Sequence, residues 1–293
     1  MFSRVGPLDS GDLINIGPSG GPPRVRGRQP TVLRSTFVAL VSTVVVFGIL
    51  VWITVNAPGW ADVQASFFSA TVFSNAFPDI AAAFWVNIQL FAIAEVLTLV
   101  LALVLAVLRS LPGPVFFPLR FLATIYADIF RAVPGVLVIY ILGFGIPGLG
   151  LPGIPTDPFP YAVIALTLIY SAYVSEVYRA GIESVHPSQE AAARSLGLSR
   201  LQALRYVILP QAVRRVIPPL LNDFIGLQKD TVLVSYIGVV EIFRQSQITQ
   251  QAKFNYTPYM ATALVFIAVT IPLARLTDVL VQRDRRRAAA SSR

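Results

Sequence analysis

Few side chains in this 293-residue chain are placed to do chemistry, and the strongest of them are charges inside apolar sequence. Between Val213 and Ile237 the chain carries Pro218, Pro219, Gly226 and the adjacent pair Lys229 and Asp230, so this stretch is expected to be a broken helix. Ionisable groups in such a setting are costly unless they meet a partner or a wet cavity. Interrupted helices also free backbone groups that need polar company, which is why transporter sites form there. The fitting chemistry is recognition of a small ion or zwitterion, with Lys229 drawing a carboxylate and Asp230 an ammonium or a neighbouring strut. Mutual neutralisation of the pair is the competing role. Asn222 either caps the broken helix or touches solute. Glu95 lies near the middle of the apolar run Phe84 to Leu108, with Asn87 and Gln89 toward its outer end, so one face of that helix is expected to meet the cavity. Asp128 and Arg131, three residues apart, are expected to satisfy each other on one helical face.

Other chemistries lack their parts. The chain has no cysteine, so it can build neither a disulfide nor a thiolate site. His186 is the single histidine, beside Pro187 and without a second ligand or base. No Gly-x-x-x-x-Gly-Lys-Ser/Thr loop occurs, so the chain does not cradle a nucleotide in the usual way. The glycine-rich stretch 143–153 lacks the lysine and a following helix. No catalytic or metal site is expected.

The elements that must position these charges are membrane spans. Hydrophobic residues make up 55% of the chain and charged ones only 13%, too apolar for an average soluble domain. The formal charge of +8 does not indicate nucleic acid, because the basic residues flank apolar runs instead of forming one patch interleaved with aromatics. Residues 1–35, rich in Gly, Pro and Arg, read as a disordered basic tail. Residues 36–55 are long enough to cross ~30 Å of hydrocarbon. Further spans are expected at 84–108, 121–144, 160–178, 213–237 (broken) and 257–280, and 281–293 is a second basic tail. Residues 56–83 read as an external loop with a short interfacial helix near 63–77, and 238–256 as external or re-entrant. Of the 23 Lys and Arg, all but Arg131, Lys229, Arg244, Lys253 and Arg275 fall in 1–35, 109–120, 179–215 and 281–293. The positive-inside rule then gives six spans with both termini cytoplasmic.

Between spans, Glu176 to Pro210 reads as helix, glycine corner, helix. Pro187 suits a first turn, Ala191, Ala192 and Ala193 are strong helix formers, and Gly197 is placed to stop the helix in a left-handed conformation. Ser199 and Gln202 form a capping box for the next helix, which Pro210 prevents from continuing undisturbed.

This corner resembles the cytoplasmic coupling loop of bacterial ABC importer permeases, whose signature is Glu-Ala-Ala, three residues, Gly, nine residues, an aliphatic, one residue, Leu-Pro. Gly197, Val207 and Leu209-Pro210 match; the glutamate position holds Ala191, with Glu190 one residue early. Four further stretches are similar to the polar amino acid branch of these permeases: residues 84–109; YADIFRAVP at 126–134; 173–182 with Glu176, Arg179, Gly181 and Ile182; and 218–241 with Asn222, Lys229-Asp230-Thr231 and Ile237-Gly238.

The resemblance covers residues 84–280. It implies an all-α, polytopic protein of the bacterial inner membrane, with a five-span core preceded by one extra span and external loop at 36–83. It implies a pore for polar amino acids, a dimer with itself or a paralogue, a solute-binding protein outside, and a pair of ABC ATPase subunits that carry the ATP and Mg. The coupling loop 179–210 would dock the ATPase through Glu190, Ala191, Ala192, Ala193, Arg194, Gly197 and Arg200, while Lys229, Asp230, Asn222 and Glu95 would line the path. An ion-coupled secondary carrier and a poreless membrane anchor are the rival readings.

Overall fold

The computed structural model describes residues 32–291, and every regular element among them is helical. The basic tail expected at 1–35 lies almost wholly outside the described residues. The chain divides into two compact units, Met1–Trp60 and Ala61–Arg293. The first contains α1 (Val32–Val55), where Thr43 and Thr54 turn their hydroxyls back onto carbonyls of their own helix at 2.8 Å. An apolar helix tolerates these residues because that bond leaves no exposed donor.

The second unit begins with α2 (Trp60–Phe67) and α3 (Ala70–Ser110). Ser69 caps α3, its hydroxyl accepting from Val72 N at 3.4 Å. At 1.5 Å per residue, 41 residues extend about 60 Å, well beyond one hydrocarbon thickness. The loop expected at 56–83 is therefore mostly helix, divided between α2 and the first turns of α3. Pro78 does not break α3, because Ala76 and Ile80 on either side of it are buried in one apolar cluster with Ile242 and Ala261. That packing outweighs the lost backbone bond.

The single span expected at 121–144 is two helices, α4 (Phe117–Ala132) and α5 (Gly135–Gly148), meeting at 104°. Pro134 drives Val133 out of the helical region, to φ −81° and ψ 128°. Helix α6 (Phe159–Glu183) is the central strut, with thirteen buried residues and contacts to α3, α4, α5 and the later helix α9 (Leu209–Asp230). Near its C-terminal end Gly181 lies so close to α9 that a Cβ there would sit 2.0 Å from Val216 Cγ1. Only glycine allows this approach.

Helix α7 (Pro187–Ser195) follows, and past its corner the chain is helical from Arg200 to Ile237: α8 (Arg200–Ala203), a π turn (Leu204–Ile208), α9 (Leu209–Asp230) and a 3₁₀ segment (Thr231–Ile237). Next come α10 (Ile242–Lys253) and α11 (Thr257–Ser291), the latter running well past the end expected at 280. Among the described residues, four helical runs can cross a membrane by length and composition, 36–55, 60–110, 159–183 and 257–283, with a fifth if the α4–α5 pair counts as one crossing. Arg214, Arg215, Asp223, Lys229 and Asp230 remove α9 from that set.

Candidate functional site

The charges singled out from sequence gather around the C-terminal half of α9, but not as a proline break. Helix α9 runs unbroken through Pro218, Pro219 and Gly226 and changes winding only after Asp230, where the 3₁₀ turns begin. Gly226 is a seat for a neighbouring ring, since a Cβ there would meet Tyr170 Oη at 3.1 Å. That hydroxyl donates to Asp230 Oδ2 at 2.8 Å, tying α6 to the end of α9.

Seven residues are two helical turns, so α9 presents two charged or polar stripes. Asn222 and Lys229 form an exposed one, and Asp223 and Asp230 a half-buried one. Among the described residues no carboxylate lies within ion-pair distance of Lys229, so the pair Lys229 and Asp230 does not neutralise itself. Asp223 Oδ2 is buried without a hydrogen-bond donor among the described residues, and Glu95 on α3 is its electrostatic neighbour. Glu95 also neighbours Tyr178. Glu95 thus lies near the stripe of α9 that holds Asp223, a neighbour the sequence did not name. Asn222 does not: it opens on a separate cavity of about 280 Å³ with Leu221, Thr277 and Asp278.

Asn87 belongs to the framework, not to a cavity. Only 2% exposed, it donates to Thr231 Oγ1 at 2.9 Å and Glu241 Oε2 at 3.0 Å and accepts from Ile242 N at 3.0 Å. Glu241 in turn caps α10, accepting from Phe243 N at 3.0 Å and Arg244 N at 2.7 Å. Burial pushes the Glu241 carboxyl up, against the opposing pull of those backbone donors and Asn87. Gln89 is exposed. One side chain therefore locks α3, the 3₁₀ segment and α10 together immediately beyond the charged end of α9.

The coupling corner has the local geometry its residues dictate. His186 caps α7 (Pro187–Ser195), its Nδ1 accepting from Ser188 N at 3.2 Å. Gly197 takes φ +88°, and Leu198 N returns to Ala193 O at 3.2 Å, closing the helix end. The Ser199 and Gln202 box forms in both directions, at 3.3 and 2.8 Å. The π turn at Leu204–Ile208 directly precedes Pro210, which has no N–H to continue a tight ladder. Ala193 is buried, whereas Ala191, Ala192 and Arg194 are exposed and Leu196 is 84% exposed. Glu190 and Arg200 approach to 3.8 Å across the corner.

The expected partnership of Asp128 with Arg131 is replaced by another. Arg131 reaches Glu176 Oε1 at 3.3 Å, and the same carboxylate holds Arg109 at 2.5 Å and Arg179 at 2.7 Å. Glu176 so joins α3, α4 and α6 at one end of the bundle. Sequence reasoning also passed over Tyr170 and Asp223; the one available signal was that Asp223 precedes Asp230 by two helical turns.

A bundle of long apolar helices, a charged helix end at its heart and an exposed helix corner beside it define a multi-pass membrane permease subunit. Residues 113–286 match the family model described as binding-protein-dependent transport system inner membrane component. The chain belongs to that family, and it is an inner-membrane permease component of an ABC transport system. It is 36% identical over 185 residues to the probable glutamine ABC transporter permease protein GlnM of Bacillus subtilis, covering 63% of this chain and 83% of the relative. Over 215 residues it is 35% identical to the glutamate transport system permease protein GluC of Corynebacterium efficiens, covering 70% and 93%. A solved amino acid ABC transporter with histidines superposes with a TM-score of 0.66 at 31% identity, covering 74% of this chain and 98% of that one.

Proposed function

We propose that this subunit forms the translocation path for polar amino acids delivered by an extracytoplasmic solute-binding protein, powered by a pair of ABC ATPase subunits that bind the ATP and Mg. The observation that carries this reading is the single helical run from the coupling corner to the charged helix end, residues 200–230, about 45 Å at 1.5 Å per residue. A push on the corner is transmitted along that run to Asp230 and, through Thr231, to the Asn87 lock. The relatives' substrates, glutamine and glutamate, favour an amino acid cargo.

In this reading Glu190, Ala191 to Ala193, Arg194, Gly197 and Arg200 meet the ATPase, with Arg194 offering charge-assisted contacts from an exposed position. Lys229 attracts the substrate carboxylate, and Asp230, Asp223 and Glu95 face the amino group. The chain crosses the membrane six times, counting α4–α5 and the α9 region as one crossing each, with both termini cytoplasmic; it pairs with a second copy or a paralogue. The added span 36–55 precedes a five-span core at 84–280.

The test is uptake of labelled amino acids by proteoliposomes holding this chain and its ATPase, with and without internal ATP and external binding protein. Uptake that needs all three supports the reading, and Asp230→Asn should then cut uptake while leaving assembly intact. Uptake driven by an ion gradient without the ATPase would replace it with a secondary carrier.

A further inference from the structure

A cavity of about 410 Å³ opens between the inner ends of α3, α4 and α6, walled by Arg109, Arg120, Arg179, Glu183, Thr124 and the rings of Phe117 and Phe121. Its lining takes Arg179 and Glu183 from the start of the stretch 179–210 but includes neither the α9 charges nor the corner residues Glu190 to Arg200. Its lining holds three arginines against one glutamate; Glu176 behind it is offset by Arg131, so a surplus of positive charge remains.

The arginines are held in place but not exhausted. Arg109 donates through Nη1 to Glu176, and Arg120 through Nη1 to the carbonyls of Leu111 and Gly113 at 2.6 Å each. A guanidinium has five N–H donors, so the Nε and Nη2 groups of both residues remain unspent among the described contacts. Arg179, by contrast, makes four such bonds, two to Glu176 and two to Glu183.

The other wall is apolar and outward-facing. Phe117 and Phe121 stack with centroids 5.9 Å apart, yet stay 59% and 52% exposed, and Val115 before them is 83% exposed. A water-facing surface would not leave rings and a valine so open next to fixed arginines. The boundary between lipid headgroups and acyl chains is where such a surface is stable, with rings against the chains and guanidinium groups at the phosphate level.

We propose that this cavity binds the headgroup of an anionic phospholipid, the phosphate on Arg109 and Arg120 and the acyl chains along Phe117 and Phe121. Because Arg109 also grips Glu176, the lipid would brace the junction of α3, α4 and α6. The assignment rests on the membrane orientation proposed above, which puts this end in the inner leaflet, but not on the cargo.

The experiment is lipid retention by the full-length chain purified with its ATPase partner, exchanged against phosphatidylglycerol, phosphatidylcholine or free glycerol phosphate and read by native mass spectrometry. Wild type should retain phosphatidylglycerol over phosphatidylcholine by roughly tenfold, the scale of surplus basic charge near a headgroup layer. Arg120→Gln should bring the two toward parity. Should that variant fail to assemble, Thr124→Glu sets a negative charge in the wall with every arginine kept, at the loss of the Thr124 hydroxyl bond to the Arg120 carbonyl, and the same loss of retention is expected. Equal retention by wild type, retention unchanged in Thr124→Glu, or glycerol phosphate competing as well as phosphatidylglycerol would each overturn the lipid site. Loss of ATPase binding with lipid retention unchanged in Thr124→Glu would reassign the cavity to a protein contact. Retention is read without transport, so failure of the cargo reading leaves this result interpretable.

Discussion

Asn87→Ala tests whether one buried amide holds the charged end of α9 in place. The substitution deletes three hydrogen bonds, to Thr231 Oγ1, to Glu241 Oε2 and from Ile242 N, all between 2.9 and 3.0 Å. Neutral bonds contribute about 1 kcal/mol each and a bond to a charged group about 2, so the loss is ~4 kcal/mol. Ile242 N would be left buried without its acceptor, which adds to the cost. Thermal unfolding of the detergent-solubilised protein, followed by fluorescence with Trp85 two residues away as a reporter, should fall by on the order of 10 °C. Asn87→Leu roughly preserves volume and removes the same bonds, so it should fall nearly as far. If Asn87→Leu were as stable as wild type, the site would be ordinary packing and the lock would be refuted. Uptake should drop in both variants, because Thr231 directly follows Lys229 and Asp230.

Further outcomes follow from the geometry. Gly181→Ala forces a Cβ onto Val216 Cγ1 at 2.0 Å and should cost about 1–3 kcal/mol as overpacking, less about 1 kcal/mol of helix propensity gained. Adding Val216→Ala removes the clashing methyl, so the double variant should regain thermal stability; no recovery would show that the helices are not in contact there. Gly197→Ala meets nothing within 4 Å and should lose only the ~1–2 kcal/mol of the left-handed backbone, whereas Gly197→Pro cannot adopt φ +88°. ATP hydrolysis without uptake is expected for the proline variant alone, and normal uptake would contradict the lever. Glu241 has its folded-state carboxyl raised by burial, so its contribution is fully present below its unfolded value and is lost as pH rises through the folded one. A pH series of unfolding midpoints should therefore decline through that window in wild type and stay flatter in Glu241→Gln.

The sequence was most informative where structure is local. The glycine corner, the capping box at Ser199 and Gln202 and the disturbance before Pro210 depend on conformational preferences of a few neighbouring residues, and all three appear as expected. Prolines were less legible. Pro134 does bend the chain, leaving Val133 extended though it packs against the core, while Pro78, Pro218 and Pro219 sit inside continuous helices. Sequence alone does not distinguish these cases, since the outcome depends on what buries the flanking residues.

By itself, then, the sequence determined the class of this protein: long uncharged runs must be helical in a bilayer, flanking arginines set the expected orientation, and the corner motif carries its own conformation. Partnership was decided only by tertiary structure. Arg131 chose Glu176 on α6 over Asp128 on its own helix, Asn87 turned inward to Thr231 and Glu241, and Gly226 made room for Tyr170 to reach Asp230. Each of these contacts spans more than forty residues of chain. A polar group excluded from water takes the best donor or acceptor that packing brings to it, and local spacing cannot specify which one that will be.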